Sequence, residues 1–76
     1  MIKKLNTFEV GVYNKYVRVA IREGDTLPAG LDAKWEETYL YEIQATSASH
    51  AEALMLKEYP PVLGFVIDGI VQMTRN

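Results

Sequence analysis

The chain has 76 residues, of which 49% are hydrophobic, and a formal net charge of −2. A chain of this length predicts a single domain, spanning 1–76, that buries only about 60% of the surface of its unfolded form. It contains no cysteine, which excludes disulfides and thiolate metal sites. The acidic balance disfavours nucleic acid as a partner, because phosphate neutralisation requires a basic surface.

The beginning of the sequence, MIKKLNTFEV, has two lysines and no apolar run after them. No segment approaches the roughly 20 consecutive apolar residues of a membrane span. We therefore expect a soluble, cytoplasmic protein that does not act at a membrane.

The first predicted element is a β-hairpin over TFEVGVYNKYVRVAI, in which apolar residues alternate on both sides of Asn14-Lys15. Asparagine tolerates the left-handed backbone of a two-residue turn. This turn would pair Val12 with Val17 and Val10 with Val19, so that all the valines share one face. Tyr13 and Tyr16 would then face each other on the opposite side of the hairpin, together with Arg18, Glu9 and Arg22.

The next stretch, REGDTLPAGLDAK, is rich in glycine, proline and aspartate and predicts an irregular loop of about a dozen residues. Loops of this length are often functional, but we favour a solvated connector without a function of its own. A third strand is predicted over Trp35–Ala45. Its alternation places Tyr41 and Ile43 towards the core.

A helix is predicted after this strand, because the apolar spacing changes. Either Ser47 or Ser49 could cap it, and Ser49-His50-Ala51-Glu52 has the S-x-x-E spacing of a capping box. The buried stripe would consist of Ala48, Ala51, Leu54, Met55 and Tyr59. Pro60-Pro61 would end the helix, because the residue before a proline leaves the helical region. His50, the single histidine, is therefore interpreted as part of a helix start and not as a catalytic base.

The last segment, VLGFVIDGIVQM, allows two structures. Asp68-Gly69 is typical of a tight hairpin turn, which would pair Ile67 with Ile70. The alternative is one continuous strand with a bulge at Gly69, and it would place Phe65, Ile67, Val71 and Met73 on one face. We favour the hairpin. The predicted fold is α+β: a four- or five-stranded, mainly antiparallel sheet with one helix packed on one face, in the order ββ-β-α-ββ.

No arrangement of residues indicates an enzyme. The five glycines are scattered and form no phosphate-binding loop. The neighbouring carboxylates Glu36 and Glu37 would point to opposite faces of a strand, so they do not form an acid–base pair. We assign no catalytic, cofactor-binding or metal-binding residue and expect a non-enzymatic protein.

A partner-binding surface is predicted from the aromatic and arginine residues, which are enriched in protein interfaces. It comprises Tyr13, Tyr16, Arg18, Leu27 and Trp35. Trp35 would anchor a partner if it is exposed and would belong to the core if it is buried. The two tyrosines could instead simply stabilise the hairpin, or they could stack on nucleobases.

Residues 41–67, YEIQATSASHAEALMLKEYPPVLGFVI, resemble a strand–helix–strand unit of small proteins encoded by bacteriophages and mobile elements, some anti-CRISPR proteins among them. The resemblance is carried by the helix entry that follows a strand ending in alanine, and no binding residue of that group can be transferred. It implies a compact inhibitor that occludes a host protein complex. The alternatives are a self-associating structural protein, dimeric through unpaired edge strands, and a weak nucleic-acid-binding protein.

Overall fold

A computed structural model describes residues 4–73 of the chain. Its strands are β1 (Asn6–Asn14), β2 (Tyr39–Ala45) and β3 (Phe65–Met73), and its α-helices are α1 (Lys15–Glu23) and α2 (Ala48–Glu58). Two short 3-10 helices complete the described elements: Ala33–Glu36, here called the Trp35 turn, and Pro61–Leu63, here called the Pro61 turn.

The three strands form one antiparallel sheet in the order β2-β1-β3. The predicted α+β class and antiparallel pairing are confirmed. The predicted number of elements is wrong, because the described residues form three strands and two α-helices instead of four or five strands and one helix. Strand β1 lies in the centre and pairs with strands that follow it much later in the sequence.

The predicted hairpin at Asn14-Lys15 is wrong, because α1 begins at this point. The Asn14 side chain accepts hydrogen bonds from the backbone N–H groups of Tyr16 and Val17. This is the N-cap geometry that asparagine favours. Val17 is buried as a residue of α1 and not of a strand. The predicted pairs of Val12 with Val17 and of Val10 with Val19 therefore do not form.

Helix α1 ends at Glu23. The next residue, Gly24, adopts the left-handed conformation (φ 71°) and donates its N–H to the carbonyl oxygens of Ala20 and Ile21. The irregular loop therefore covers residues 24–32 and is shorter than predicted. Trp35 does not belong to a strand, since it lies in the Trp35 turn, which Asp32 caps by accepting a hydrogen bond from the Lys34 N–H. The third predicted strand begins only at Tyr39.

The hydrophobic core covers one face of the sheet. Phe8, Val10 and Val12 of β1 are buried there, as the alternation predicted. Tyr41 and Ile43 pack against the same cluster, which confirms their predicted orientation. From α2, Ala51 and Met55 are buried. Ala48 is exposed, so its predicted place in the buried stripe is wrong.

Helix α2 begins and ends close to the predicted positions. Ser47 is the N-cap and accepts a hydrogen bond from the His50 N–H at 3.1 Å, so the capping box predicted at Ser49 is wrong. The helix stops at Glu58, immediately before the cap residue Tyr59 and the two prolines.

The predicted hairpin at Asp68-Gly69 is also wrong, and the continuous strand is the observed structure. Val10 pairs with Ile70 and Val12 with Ile67, so that two residues of β3, Asp68 and Gly69, oppose only Gly11. Gly69 has a positive φ of 91°, as one type of bulge requires. The bulge reverses the alternation, which turns Val71 and Met73 away from the core face that the alternative had given them.

Candidate functional site

The junction between β1 and α1 is tied to the Pro61 turn through a buried asparagine. Asn14 is fully buried, and its Nδ2 donates a hydrogen bond to the Leu63 carbonyl oxygen at 2.9 Å. The backbone N–H of Lys15 donates to the Gly64 carbonyl oxygen at 2.8 Å. Both polar ends of the Asn14 amide are thus used, because its Oδ1 caps α1. Two segments far apart in sequence are thereby held in a fixed arrangement.

This junction positions Tyr16 on the surface. The Tyr16 ring lies directly over Gly64, where an added Cβ atom would clash with the ring. Tyr16 is nevertheless 46% exposed, and Val62 and Leu63, just before Gly64, are 79% and 52% exposed. We call Tyr16, Val62 and Leu63 the apex patch. It is an apolar surface on a backbone that hydrogen bonds from Asn14 and Lys15 hold in place.

Two other predicted contact residues, Tyr13 and Arg18, are engaged with each other. The Arg18 guanidinium carbon lies 3.4 Å from the centre of the Tyr13 ring, a cation–π contact. Arg18 also donates to the Glu36 carbonyl oxygen at 2.7 Å and to Thr38 Oγ1 at 3.0 Å. The pair therefore fixes α1 to the Trp35 turn, and the ring face that a nucleobase would need is covered by the guanidinium.

The remaining two predicted contact residues pack inward. Trp35 is only 9% exposed and meets the rings of Tyr39, Tyr59 and Phe65 at centroid distances of 5.1–5.6 Å. Leu27 is half-buried against the core cluster. Because it is buried, Trp35 is a core residue and not an exposed anchor for a partner. The structure thus does not bring the five predicted residues together on one surface.

Tyr41 and Tyr59 stack at 5.5 Å beside this aromatic cluster. Hydrogen bonding with the Tyr59 hydroxyl, followed by burial, raises the pKa of the Tyr41 phenol above its ordinary value. The shift belongs to the core face of the sheet and fits a phenol that stays neutral there.

The histidine takes part in the start of α2. The Thr46 N–H donates to His50 Nδ1 at 3.1 Å, while the His50 N–H donates to Ser47 Oγ at 3.1 Å. The arrangement differs from a capping box, because the imidazole accepts from Thr46, the residue before the N-cap, and not from the N-cap Ser47 itself. Within residues 4–73, no group of three or more histidine, cysteine or acidic side chains is arranged to hold a metal ion.

Sequence reasoning missed Val62 and Leu63 as candidate contact residues. Their signal was present, since two apolar residues directly after Pro60-Pro61 stand outside the helical periodicity and before a glycine. The segment was instead interpreted as the beginning of a strand, which in the structure starts only at Phe65.

The chain matches no protein-family model, no curated protein and no solved structure. Neither of the two described α-helices has the length and apolar character needed to cross a bilayer.

Proposed function

We propose that the chain is a small, non-enzymatic protein-binding module that contacts its partner through the apex patch. The observation that carries this proposal is the exposed Tyr16 residue, whose ring lies over Gly64, together with the exposed Val62 and Leu63 that directly precede Gly64 in the chain. Water-exposed apolar residues that cluster together are typical of interaction sites. Tyrosine adds a large contact area at a low cost in conformational entropy.

The rigidity of the junction supports the same function. Ordering a mobile side chain on binding costs about 0.5–1.5 kcal/mol for each immobilised residue. The Asn14 and Lys15 hydrogen bonds to the Pro61 turn already hold the backbone of the apex patch in the free protein. The backbone of the patch therefore needs little further ordering when a partner binds, and the remaining cost is that of its side chains.

The mode of action we propose is steric occlusion of a host protein complex, as the resemblance to phage and mobile-element proteins implies. Such a protein needs a stable contact surface and no reactive group. Arg18, which the sequence analysis included in the contact surface, acts in this proposal as a support for α1.

The test is a quantitative pull-down of the tagged protein from a lysate of its natural host, with identification of the captured proteins by mass spectrometry. The variants are Tyr16→Ala and Val62→Asp, and Leu5→Asp, just before β1, serves as the control because Leu5 is also exposed (54%). We expect both apex variants to lose a stoichiometric complex, since truncating a hot-spot tyrosine weakens binding by about 2 kcal/mol or about 30-fold.

The control variant should retain the complex. Equal capture by the wild type and both apex variants, all folded by circular dichroism, would refute the apex patch as the contact surface. Addition of the purified protein to the isolated complex then tests occlusion, because an inhibitor must lower the activity of that complex in proportion to occupancy.

A further inference from the structure

The face of the sheet opposite the core carries acidic and apolar side chains. We call it the outer sheet face and define it by the strand register. Its members are Thr7, Glu9, Tyr13, Leu40, Glu42, Gln44, Val66, Asp68, Val71 and Met73. Every side chain that the three strands contribute is neutral or acidic. Leu40 and Val71 are 65% and 59% exposed, so a substantial apolar area accompanies the carboxylates.

Two glutamates lie side by side in the middle of this face. Glu9 of the central strand is the direct partner of Glu42 on β2. Like charges directly opposite each other in an antiparallel pair destabilise the sheet. A cation placed over this pair would relieve the repulsion. Val71 of β3 is the partner of Glu9 on the other side, so an apolar side chain lies beside the two carboxylates.

A surface of opposite charge, also with an apolar residue, is present on α1. Lys15, Val19 and Arg22 have the spacing i, i+4 and i+7, which places them on one stripe of a helix. All three are exposed, and the buried residues Val17 and Ala20 lie on the opposite side. Glu23 lies beside this stripe and subtracts one charge, which leaves the stripe with a net positive charge.

Within one molecule, α1 does not reach the Glu9–Glu42 pair on the outer sheet face. Helix α1 starts after the last residue of β1 and packs against the Trp35 turn. Arg18 of α1 contacts the outer sheet face at Tyr13. Tyr13 is four residues from Glu9, a distance of about 13 Å along β1. A three-stranded face is about 14 Å wide, which accommodates one helix of about 10–12 Å diameter.

We propose that α1 of one molecule docks on the outer sheet face of a second copy, with Lys15 and Arg22 over the Glu9–Glu42 pair and Val19 against Leu40 and Val71. Charge complementarity selects this arrangement over a symmetric face-to-face dimer, which would bring Glu9, Glu42 and Asp68 of both copies together. The two contact surfaces differ, so the association is head-to-tail and continues beyond two copies.

The contact is small. A helix of nine residues is about 13 Å long, and the area that it covers falls below the roughly 1,200 Å² of stable interfaces. The association is therefore weak and transient, at high micromolar to millimolar protein concentration, and its charged component weakens with added salt.

The experiment is light scattering of the wild-type protein over increasing concentration, with two charge-reversal variants. The sheet variant is Glu9→Lys with Glu42→Lys, and the helix variant is Lys15→Glu with Arg22→Glu. Glu52→Lys with Glu58→Lys is the matched control for the sheet variant, since both residues are exposed on α2 and the net charge changes equally. Glu42→Lys alone replaces the sheet variant if the double substitution fails to fold.

We expect the wild type and the control to show an average mass above 8.6 kDa that rises with concentration without a plateau at two copies. Each reversal variant alone remains a monomer. Their equimolar mixture associates again, because the acidic helix of one variant complements the basic sheet face of the other.

The proposal is overturned by a wild type that is monomeric up to about 1 mM, the weak end of measurable affinity. It is equally overturned by a mixture that stays monomeric, or by a plateau at two copies that the helix variant does not change. The apex variant Val62→Asp leaves Glu9, Glu42, Lys15 and Arg22 intact and should associate like the wild type, so this test is separate from that of partner binding. Tyr16→Ala is not used for this purpose, because Lys15 Nζ lies 5.4 Å from the centre of the Tyr16 ring.

Discussion

Among single residues, Asn14 is the one that connects β1, α1 and the Pro61 turn. It closes β1, caps α1 with its Oδ1 and holds the Pro61 turn with its Nδ2. A buried polar group stabilises a fold only when its hydrogen bonds are satisfied, and the Asn14 amide satisfies this condition at both ends.

We predict that Asn14→Ala lowers the free energy of unfolding by about 2 kcal/mol. The loss of an N-cap costs about 1 kcal/mol, and the loss of the part-buried hydrogen bond to the Leu63 carbonyl oxygen costs about 1 kcal/mol more. Urea denaturation followed by circular dichroism measures the difference. Asn6→Ala, in the same strand but half-buried, is the control and should change stability by less than about 0.5 kcal/mol. Similar values for the two variants would contradict the assigned role of Asn14.

At the scale of elements, the sequence predicted β1, β2 and α2 better than the parts between them. Alternating valines in β1 and the proline pair after α2 each specify one structure. The stretch Lys15–Glu23 fits two, since Val17, Val19 and Ile21 alternate like a strand while Asn14 and Gly24 can cap a helix at both ends. The outcome depended on the contact of Asn14 with Leu63, 49 residues away, which local pattern does not contain.

The same reasoning explains the error in β3 and in the candidate site. Asp68-Gly69 can form a tight turn or a bulge, and the choice depends on whether β1 is available as a neighbour. Tyr16 was predicted as a contact residue and is exposed. Its apolar neighbours Val62 and Leu63 became recognisable only when the fold placed Gly64 under the Tyr16 ring.

The start of α2 allows a direct comparison between two serines that the sequence alone does not distinguish. Ser47 accepts the hydrogen bond from the His50 N–H, whereas Ser49 lies within the first turn. We predict that Ser47→Ala lowers the free energy of unfolding by about 1 kcal/mol. Ser49→Ala should be neutral or slightly stabilising, because alanine has the higher helix propensity. Thermal unfolding of both variants measures the difference. A larger loss of stability for Ser49→Ala than for Ser47→Ala would contradict the assignment of Ser47 as the N-cap.

At the scale of the whole molecule, Trp35 connects elements that come from different parts of the sequence. Its ring meets Tyr39 at the start of β2, Tyr59 at the end of α2 and Phe65 at the start of β3. In such a small domain, few other residues join the end of the sheet to both the loop and the helix. The tertiary structure therefore depends on this one side chain more than its place in a short turn suggests.

We predict that Trp35→Ala lowers the free energy of unfolding by about 3–5 kcal/mol, the usual cost of truncating a buried tryptophan. A domain of 76 residues has a total stability of about 4–11 kcal/mol, so urea should unfold this variant at a much lower concentration than the wild type. Trp35→Phe should keep the fold with reduced stability, because a ring still fills part of the site. Since Trp35 is the only tryptophan, the fluorescence of the native protein reports on it directly. Its emission should lie at shorter wavelength than in the denatured protein and resist quenching by iodide. Equal quenching of native and denatured protein would instead place Trp35 on the surface and restore it as a candidate contact residue.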